Sequence, residues 1–360
     1  MQPTPQASGP TAAERPPQGP GAAPSLLRPH PRDVLLGPQA QSHLLPVCDH
    51  YSGVEVRMRK SLQLQAEMTQ EFGTCVFDVT LDCEDGAPVG LEAGHARLVA
   101  RLATEAAPEA RVAVRIHAVD HPAFANDVDI VASEAGHRLC HIMVPKVESV
   151  DDVLRVERAL ARAGAAHLPV HALIESPAAV QQVFEIAAHP AVQSLSFGLM
   201  DFVSAHGGAI PAHGMSSAGQ FSHPLVVRAK LEIAAACHAH GKVPSHCVVM
   251  EFADAGAMRD AAARAAGELG YTRMWSIHPA QIRPILQAFA PRQDDIEDAS
   301  KIIAAAADVD WAPISHGGTL HDRASFRFYW QVLERAHHTG RVLPASVRHW
   351  FDSAASPVPL

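Results

Sequence analysis

The feature that most constrains the fold is a repeated alternation of short apolar runs with helix-like segments, which begins near residue 72. The runs are apolar along their whole length, which is typical of parallel strands covered on both faces. Seven such units in succession favour a (β/α)8 TIM barrel, in the α/β class, over an open doubly wound sheet. In order, the runs are CVFDVTLD, RVAVRIHAV, LCHIMVPKV, VHALIE, SLSFGLMD, PSHCVVM and TRMWSI.

Helix signals fill the gaps between these runs. Ser149 stands at an N-cap position with Asp152 three residues later, the spacing of a capping box, and Gly164 marks a helix end. Ser176 followed by Pro177 predicts a second helix start. The gaps are therefore predicted to hold the crossover helices of a parallel barrel.

The chain divides into three predicted regions. Residues 1–40 hold ten of the 28 prolines without a periodic apolar pattern, which predicts a disordered proline-rich tail. The prolines argue against the alternative of a transit peptide, whose helix is amphipathic. Residues 41–290 are assigned to the barrel. Residues 291–360 are assigned to a C-terminal helical extension or lid, expected to contact a neighbouring subunit.

Composition excludes several classes of partner. A formal net charge of -9 and the lack of a basic stripe with interleaved aromatics argue against nucleic acid. No apolar run approaches the length of a membrane span, and the first forty residues lack a signal-peptide core. The six cysteines form no CxxC pair, which indicates a reducing, cytoplasmic location without a disulfide framework.

Polar residues lie at the end of nearly every predicted strand. In a (β/α)8 barrel the active site lies at the carboxyl ends of the strands, so these side chains are predicted to converge. In chain order they are Asp82, Glu84, Asp85, Arg115, His117, Lys146, Glu148, Glu175, Asp201, Ser276 and His278.

Not all of these residues need a catalytic role, because an acid after a strand often belongs to the start of the next helix. Glu148 fits that structural explanation, since Ser149 and the following acids already mark a helix start. Glu175 fits it poorly, because Ser176 can act as the cap. Asp201 also ends an apolar run, and we favour a functional role for it over a second cap.

The acids at residues 82, 84 and 85 repel one another and need a nearby cation. That cation is either a divalent metal or basic side chains, and Arg115 and Lys146 can supply part of the charge. Oxygen ligands without a matching Cys/His set indicate Mg²⁺ or Mn²⁺ rather than zinc. The 23 histidines include no HExxH or Ser/His/Asp arrangement.

Six segments at the strand ends resemble the citrate lyase β-subunit/HpcH–HpaI aldolase superfamily, in the branch of the citrate lyase β-like proteins and malyl-CoA lyases. The resemblance covers about residues 72–325. One such match would carry little weight, but six in the same order indicate both fold and family. They are TLDCEDGAP, VRIHAVDHP, IMVPKVES, ALIESPAAV, SFGLMDF and WSIHPAQI.

The resemblance implies roles for the acids at the strand ends. Glu175 and Asp201 would be the direct Mg²⁺ ligands, with Mn²⁺ as a possible substitute. Glu84 and Asp85 would order metal-bound water and the substrate. Arg115 would bind a substrate carboxylate and stabilise developing oxyanion charge.

The resemblance also implies a contribution from a second subunit. In the family an aspartate beyond the barrel acts as acid/base and closes over a neighbouring site, and GGTLHD places Asp322 there. The structural alternative is that Asp322 caps the helix containing FRFYWQVLERA. A homotrimer or homohexamer is the implied assembly.

The N-terminal part departs from the family pattern. Members commonly begin with an Arg-Ser-x-Leu-x-x-Pro strand and a basic segment that helps to hold coenzyme A, whereas this chain reads QSHLLPVCDHYSGVEVRMRKSLQ. Arg57, Arg59 and Lys60 could meet a coenzyme A pyrophosphate, or they could form a solvated basic face. His117 also replaces the asparagine after Val-Arg-Ile.

These features predict a Mg²⁺-dependent carbon–carbon lyase. It would cleave or form a hydroxy dicarboxylic acid thioester such as malyl-CoA or citramalyl-CoA, with a 2-oxo acid and an acyl-CoA as the other partners. Two alternatives stay open: a CoA-independent 2-oxo acid aldolase and a non-catalytic barrel subunit. Glu175 and Asp201 argue against a non-catalytic subunit, because a barrel without catalysis does not require this pair of acids.

Overall fold

Eight parallel strands close into a barrel in the computed structural model, which describes residues 29–37 and 45–352. The strands follow one another in chain order, and the eighth pairs with the first. The predicted (β/α)8 barrel is confirmed. The strands are β1 (Cys48–Ser52), β2 (Phe77–Asp82), β3 (Val112–Arg115), β4 (Leu139–Val144), β5 (Val170–Ile174), β6 (Val192–Phe197), β7 (Val243–His246) and β8 (Arg273–Ser276).

Helices precede, surround and follow the barrel. One short helix, α1 (Pro31–Leu36), comes before β1. The helices between and after the strands are α2 (Glu55–Phe72), α3 (Glu92–Glu105), α4 (Phe124–Ala135), α5 (Val150–Arg162), α6 (Pro177–Gln181), α7 (Val183–Ala188), α8 (Leu199–Ser204), α9 (Pro224–Ala239), α10 (Ala255–Gly267) and α11 (Ile282–Phe289). The extension consists of α12 (Gln293–Asp308), the hairpin β9 (Ile314–His316) and β10 (Thr319–His321), α13 (Arg323–His338) and α14 (Ala345–Asp352).

The two predicted helix starts are present. The carboxylate of Asp152 accepts a hydrogen bond from Ser149 N (3.2 Å) in a capping box at α5. Ser176 Oγ accepts from Ala179 N (3.0 Å) at α6, where Pro177 fills the first helical position. Both caps stand directly after strand ends, so they fix the entry of the chain into its crossover helices.

Charged side chains form a cluster inside the barrel, toward the amino ends of the strands. Arg273 Nη2 lies 2.9 Å from Asp49 Oδ2 and donates to Asp78 Oδ2 (2.7 Å), while Arg111 Nε donates to Asp78 Oδ1 (2.5 Å). Burial alone would raise the pKa of Asp78, but the two arginines hold it below its usual value. Charges removed from water are thus paired inside the barrel.

The extension packs against the end of the barrel where the strands begin. A cavity of about 600 Å³ lies between the extension and the barrel. Its lining consists of residues that precede or begin β1, β6 and β7 together with residues of α13. Among the described residues, the part of α13 that lines this cavity thus faces the amino ends of the strands. None of the helices in the described ranges is long and apolar enough to span a bilayer.

Helix α1 corrects part of the predicted tail. Most of residues 1–40 lie outside the described residues, but Pro31–Leu36 form a helix whose Leu35 and Leu36 are buried with Trp330 and other apolar residues of the extension. His30 Nε2 also lies 3.0 Å from Trp350 O. The tail prediction failed there because the partners of this short segment lie about three hundred residues away in sequence.

Candidate active site

The three acids after β2 have three different environments, and Asp82 is the structural one. Arg115 donates to both of its oxygens, from Nε to Oδ1 (2.7 Å) and from Nη2 to Oδ2 (2.6 Å). Asp82 also accepts from the backbone N–H groups of Glu84 (3.0 Å) and Gly86 (2.8 Å). This carboxylate therefore folds the loop and fixes the guanidinium of Arg115.

Glu84 and Asp85 differ in exposure. The side chain of Glu84 is 7% exposed and lies between Arg115 Nη1 (3.0 Å) and the ammonium group of Lys146. Asp85 is 64% exposed and stands 4.0 Å from Lys146 Nζ. Burial and the neighbouring Glu84 raise the pKa of Asp85. Two cations thus offset most of the repulsion that the sequence indicated.

Glu175 and Asp201 form the second acidic group. Glu175 follows the last residue of β5, is 5% exposed, and accepts from Lys146 N at Oε1 (2.7 Å). Burial, together with the nearby carboxylate of Asp201, raises the pKa of Glu175 to about 8. Asp201 lies in the first turn of α8, after the end of β6. A divalent cation stabilises two neighbouring carboxylates because it offsets the repulsion between them.

Gly198 makes room for this acid group. A Cβ at this position would stand 2.4 Å from Glu175 Oε2 and 2.5 Å from Glu175 Cβ, far inside contact distance. The chain must pass this close because Asp201 enters α8 three residues later. The sequence marked Gly198 only as part of the strand-end run and did not reveal the contact.

Lys146 joins the two groups of acids, a role that the sequence did not assign. Its backbone N–H reaches Glu175 and its side chain reaches Glu84 and Asp85. Its backbone has a φ of 52°, in the left-handed region that a non-glycine residue rarely adopts. Such strain persists where surrounding contacts hold it, and here those contacts are the acids at the mouth of the barrel.

An aromatic layer forms the floor under the acids. The ring of Tyr51 stacks on Trp275 with centroids 4.4 Å apart, and the guanidinium of Arg115 lies 5.3 Å from the Tyr51 centroid. Tyr51 Oη is buried, without a hydrogen-bond partner in the part of the chain that the structure describes. No strand-end pattern could have identified Tyr51, which lies within β1.

The remaining strand-end residues make local contacts. His117 Nδ1 lies 2.6 Å from Asp127 Oδ2, which holds the imidazole on the loop after β3. Glu148 accepts from Ser176 Oγ (2.6 Å) at the start of α6, whereas the N-cap of α5 is Ser149. Ser276 Oγ lies 3.0 Å from His50 Nδ1, and His278 Nδ1 accepts from a backbone N–H in the next turn.

The basic residues proposed for coenzyme A lie apart from the acids. Arg57, Arg59 and Lys60 are exposed on the first turns of α2. Arg59 donates to Glu55 Oε1 (2.8 Å), and no contact within the described ranges joins the three to the acidic cluster. Their role in coenzyme A binding stays a prediction.

Asp322 is an N-cap in its own chain. Its Oδ1 accepts from Ala324 N (3.0 Å) and Ser325 N (3.4 Å) at the start of α13. Asp322 is therefore the helix cap that the sequence analysis gave as its structural alternative. No hydrogen bond or ion pair in the described ranges joins Asp322 to the acidic cluster of its own chain. A role in a neighbouring site stays a prediction.

The acid pair fits a metal that keeps part of its coordination for other oxygens. Within residues 29–37 and 45–352, the sets of three potential ligand groups that lie close together are in the barrel interior, around Asp49, Asp78 and His141. That region already contains the guanidinium of Arg273. Mg²⁺ is often held by one or two carboxylates plus water and substrate, which is what Glu175 and Asp201 offer.

The chain forms a closed (β/α)8 barrel. Carboxylates and a fixed guanidinium lie at the carboxyl ends of its strands, which is where barrel enzymes have their active sites. More narrowly, the chain belongs to the HpcH/HpaI aldolase/citrate lyase family, whose sequence model matches residues 62–279. The family expected from the six segments is confirmed.

Curated relatives include lyases. L-malyl-CoA/beta-methylmalyl-CoA lyase of Cereibacter sphaeroides (strain ATCC 17025) is 33% identical over 243 residues, which cover 63% of this chain and 76% of the relative. The citrate lyase subunit beta-like protein of Deinococcus radiodurans is 31% identical over 234 residues, covering 64% of this chain and 77% of that protein. The predicted enzyme class, a carbon–carbon lyase, is confirmed by these similarities.

Solved structures share the architecture. A citrate lyase from Burkholderia xenovorans LB400 has 49% identity and a TM-score of 0.72, with 90% of this chain and 99% of that chain covered. CitE from Mycobacterium tuberculosis, solved with magnesium, acetoacetate and coenzyme A, has 22% identity and a TM-score of 0.60, with 81% and 98% covered. Because CitE has only 22% identity to this chain, its similarity shows a shared fold and nothing further.

Proposed function

We propose that the protein is a Mg²⁺-dependent lyase that cleaves or forms a hydroxy dicarboxylic acid thioester such as malyl-CoA or citramalyl-CoA. The other partners are a 2-oxo acid and an acyl-CoA. The observation that carries the proposal is the pair Glu175 and Asp201 at the mouth of a barrel of this family, where burial and the nearby carboxylate of Asp201 raise the pKa of Glu175.

Glu175 and Asp201 would hold the metal. The CitE complex of similar fold contains magnesium, and Mn²⁺ has the same preference for oxygen ligands. When bound, the metal supplies a Lewis acid that lowers the pKa of a substrate hydroxyl and offsets carboxylate charge. Lys146 N–H keeps Glu175 oriented toward the mouth, because it fixes Oε1.

Arg115 would stabilise negative charge on the substrate. Asp82 and Glu84 align the guanidinium before any ligand arrives, so little reorganisation is needed when charge develops. Glu84 is buried between two cations and positions Arg115 and Lys146, whereas Asp85 is exposed and available to bind water or substrate. These assignments follow the residues that the sequence singled out.

The acid/base and the acyl carrier would be bound outside this cluster. Asp322 would come from a neighbouring subunit in a homotrimer or homohexamer, with residues 291–360 as the lid, because its described contacts in its own chain are those of a helix cap. Arg57, Arg59 and Lys60 would meet the phosphates of coenzyme A. All six cysteines are free, which supports a reducing, cytoplasmic location.

The second candidate is an aldolase that takes free 2-oxo acids without coenzyme A. Residues 41–63 depart from the family pattern for coenzyme A binding, which favours this candidate. The hydrogen bond from Arg59 to Glu55 also favours it, because it occupies one of the basic side chains. Both candidates use the same metal site and the same barrel, so they differ only in whether the substrate is a coenzyme A thioester or a free acid.

A substrate panel tests the proposal. Purified protein with Mg²⁺ is incubated with malyl-CoA, citramalyl-CoA and the corresponding free hydroxy acids, and products are identified by mass spectrometry. Cleavage of a thioester with release of glyoxylate or pyruvate is the expected result. Cleavage of free acids alone selects the aldolase, and no turnover of either class overturns both. Calorimetry with Mg²⁺ plus glyoxylate, and separately with acetyl-CoA, provides an independent binding measurement.

A further inference from the structure

A buried lysine on the outside of the barrel has no acidic partner in the described part of the chain. Lys230 lies on α9, is fully buried, and donates from Nζ to Gln220 Oε1 (2.7 Å). Its Nζ also lies 4.1 Å from the centroid of the Phe221 ring. Lysine is almost never fully buried without a charge partner, so this placement requires an explanation.

A buried thiol shares the same acceptor. Cys247 follows β7, is 1% exposed, and donates from Sγ to Gln220 Oε1 (3.1 Å). Because both donors bind the same oxygen atom, Gln220 Oε1, Lys230 Nζ and Cys247 Sγ are neighbours. None of these residues belongs to the acidic cluster at the mouth of the barrel.

The buried site also contains polar atoms without partners among the described residues. Gln220 Nε2 and His246 Nε2 are buried beside the pair and have no hydrogen-bond partner within the described ranges. Burial lowers the pKa of Lys230 to about 8, so a neutral amine with a free electron pair is well populated in mildly alkaline buffer. Oxidised cysteine can form a covalent link that involves a neighbouring nitrogen.

We propose that Lys230 and Cys247 form an oxidative modification site, in which one oxygen atom bridges Lys230 Nζ and Cys247 Sγ. With dioxygen as the oxidant, one N–H and the S–H bond break, and N–O and O–S bonds form. The second oxygen atom leaves as water with the two hydrogen atoms. Nitrogen and sulfur together lose four electrons, which dioxygen takes up. With hydrogen peroxide, two molecules are consumed and three waters leave.

The bridge would tie α9 to the end of β7. Cross-linking two residues that are separated in the chain restricts the unfolded state, so the oxidised protein should melt at a higher temperature than the reduced protein. The catalytic residues are not altered by the bridge. Its removal by thiol reductants would make the stabilisation reversible.

Mass spectrometry of the full chain tests the proposal directly. Protein purified under reductant is divided between anaerobic buffer and buffer at about pH 8 with dioxygen or graded peroxide, then analysed intact and after proteolysis. The expected product is about 14 Da heavier, carries Lys230 and Cys247 in one cross-linked peptide, and returns to the starting mass with reductant.

Variants sharpen the test. Cys247→Ser should abolish the cross-linked peptide, whereas Cys237→Ser, which removes another buried thiol on α9, should leave it unchanged. Oxidised wild-type protein without that peptide overturns the proposal. So does oxygen added to Cys247 alone, as sulfenic or sulfinic acid. The wild-type result decides the matter even if a variant fails to fold.

Discussion

At the scale of single residues, like-charged side chains are placed so that each has a different partner. Asp82 is bound by Arg115 and by the loop backbone, and Glu84 lies between two cations. Glu175 instead faces Asp201 and has one backbone donor. The charge that remains without a cation is therefore concentrated at Glu175 and Asp201, which is where a metal would have the largest effect.

Neutralising Glu175 should remove the metal site and leave the fold intact. Glu175→Gln keeps the size and one acceptor of the side chain, and it ends the repulsion with Asp201. We expect loss of Mg²⁺ binding in calorimetry and a decrease in kcat of about 10²-fold or more. The melting temperature without metal should stay the same or rise.

Glu185→Gln is the matched control, because Glu185 is an exposed glutamate on α7. It should bind Mg²⁺ like the wild type. Unchanged Mg²⁺ affinity in Glu175→Gln would contradict the assignment of this residue as a ligand.

At the scale of elements, the position of α8 depends on a close approach to the end of β5. Gly198→Ala would place a methyl group 2.4 Å from Glu175 Oε2, so either the carboxylate or the start of α8 must move. A displacement of about 1 Å in a catalytic group can cost about 10²-fold in rate. We expect weaker Mg²⁺ binding and a comparable decrease in kcat/KM, measured with the thioester substrate.

Gly267→Ala serves as its control, since a Cβ at Gly267 meets nothing within 4 Å. That variant should retain both metal affinity and rate. Wild-type behaviour of Gly198→Ala would show that the mouth of the barrel tolerates the shift and that Glu175 is not held there.

The elements also show what a sequence can and cannot reveal. Seven strands were predictable because their apolar runs reflect burial on both faces, but β1 is polar. Its Asp49 is buried only because Arg273 of β8 pairs with it, a contact between distant parts of the chain. The strand-end carboxylates were predictable from position alone. The contact at Gly198 and the backbone of Lys146 depend on three-dimensional proximity, and no local pattern encodes them.

At the scale of the whole molecule, residues of α13 face the amino ends of the strands, and the proposed lyase takes Asp322 from a neighbouring subunit. Asp322→Asn separates capping from chemistry, because asparagine is as good an N-cap as aspartate. We expect an unchanged melting temperature and a large loss of kcat. Asp322→Ala should in addition lose about 1 kcal/mol of stability.

Subunit mixing completes that test. Co-assembly of Asp322→Asn with Glu175→Gln places an intact aspartate over an intact metal site in some interfaces, so measurable activity should return. Full activity of Asp322→Asn alone would leave this residue with the capping role that the structure shows.

Buried histidines should make the molecule sensitive to acid. Burial lowers the pKa of His50 to about 4 and that of His171 to about 3, from an ordinary value of 6.5. Below the ordinary value the unfolded chain binds protons that the folded chain does not, so stability falls as pH decreases from about 6.5. Each such histidine contributes a slope of up to about 1.4 kcal/mol per pH unit.

Glu175 acts in the opposite direction, because its raised pKa of about 8 makes the folded protein bind a proton first as pH decreases. Urea unfolding between about pH 5 and 6.5 should therefore show a steeper loss of stability in Glu175→Gln than in the wild type. His171→Gln should flatten the slope, while His240→Gln, at an exposed site, should not change it. Equal slopes in all four proteins would mean that neither His171 nor Glu175 changes its proton affinity on folding.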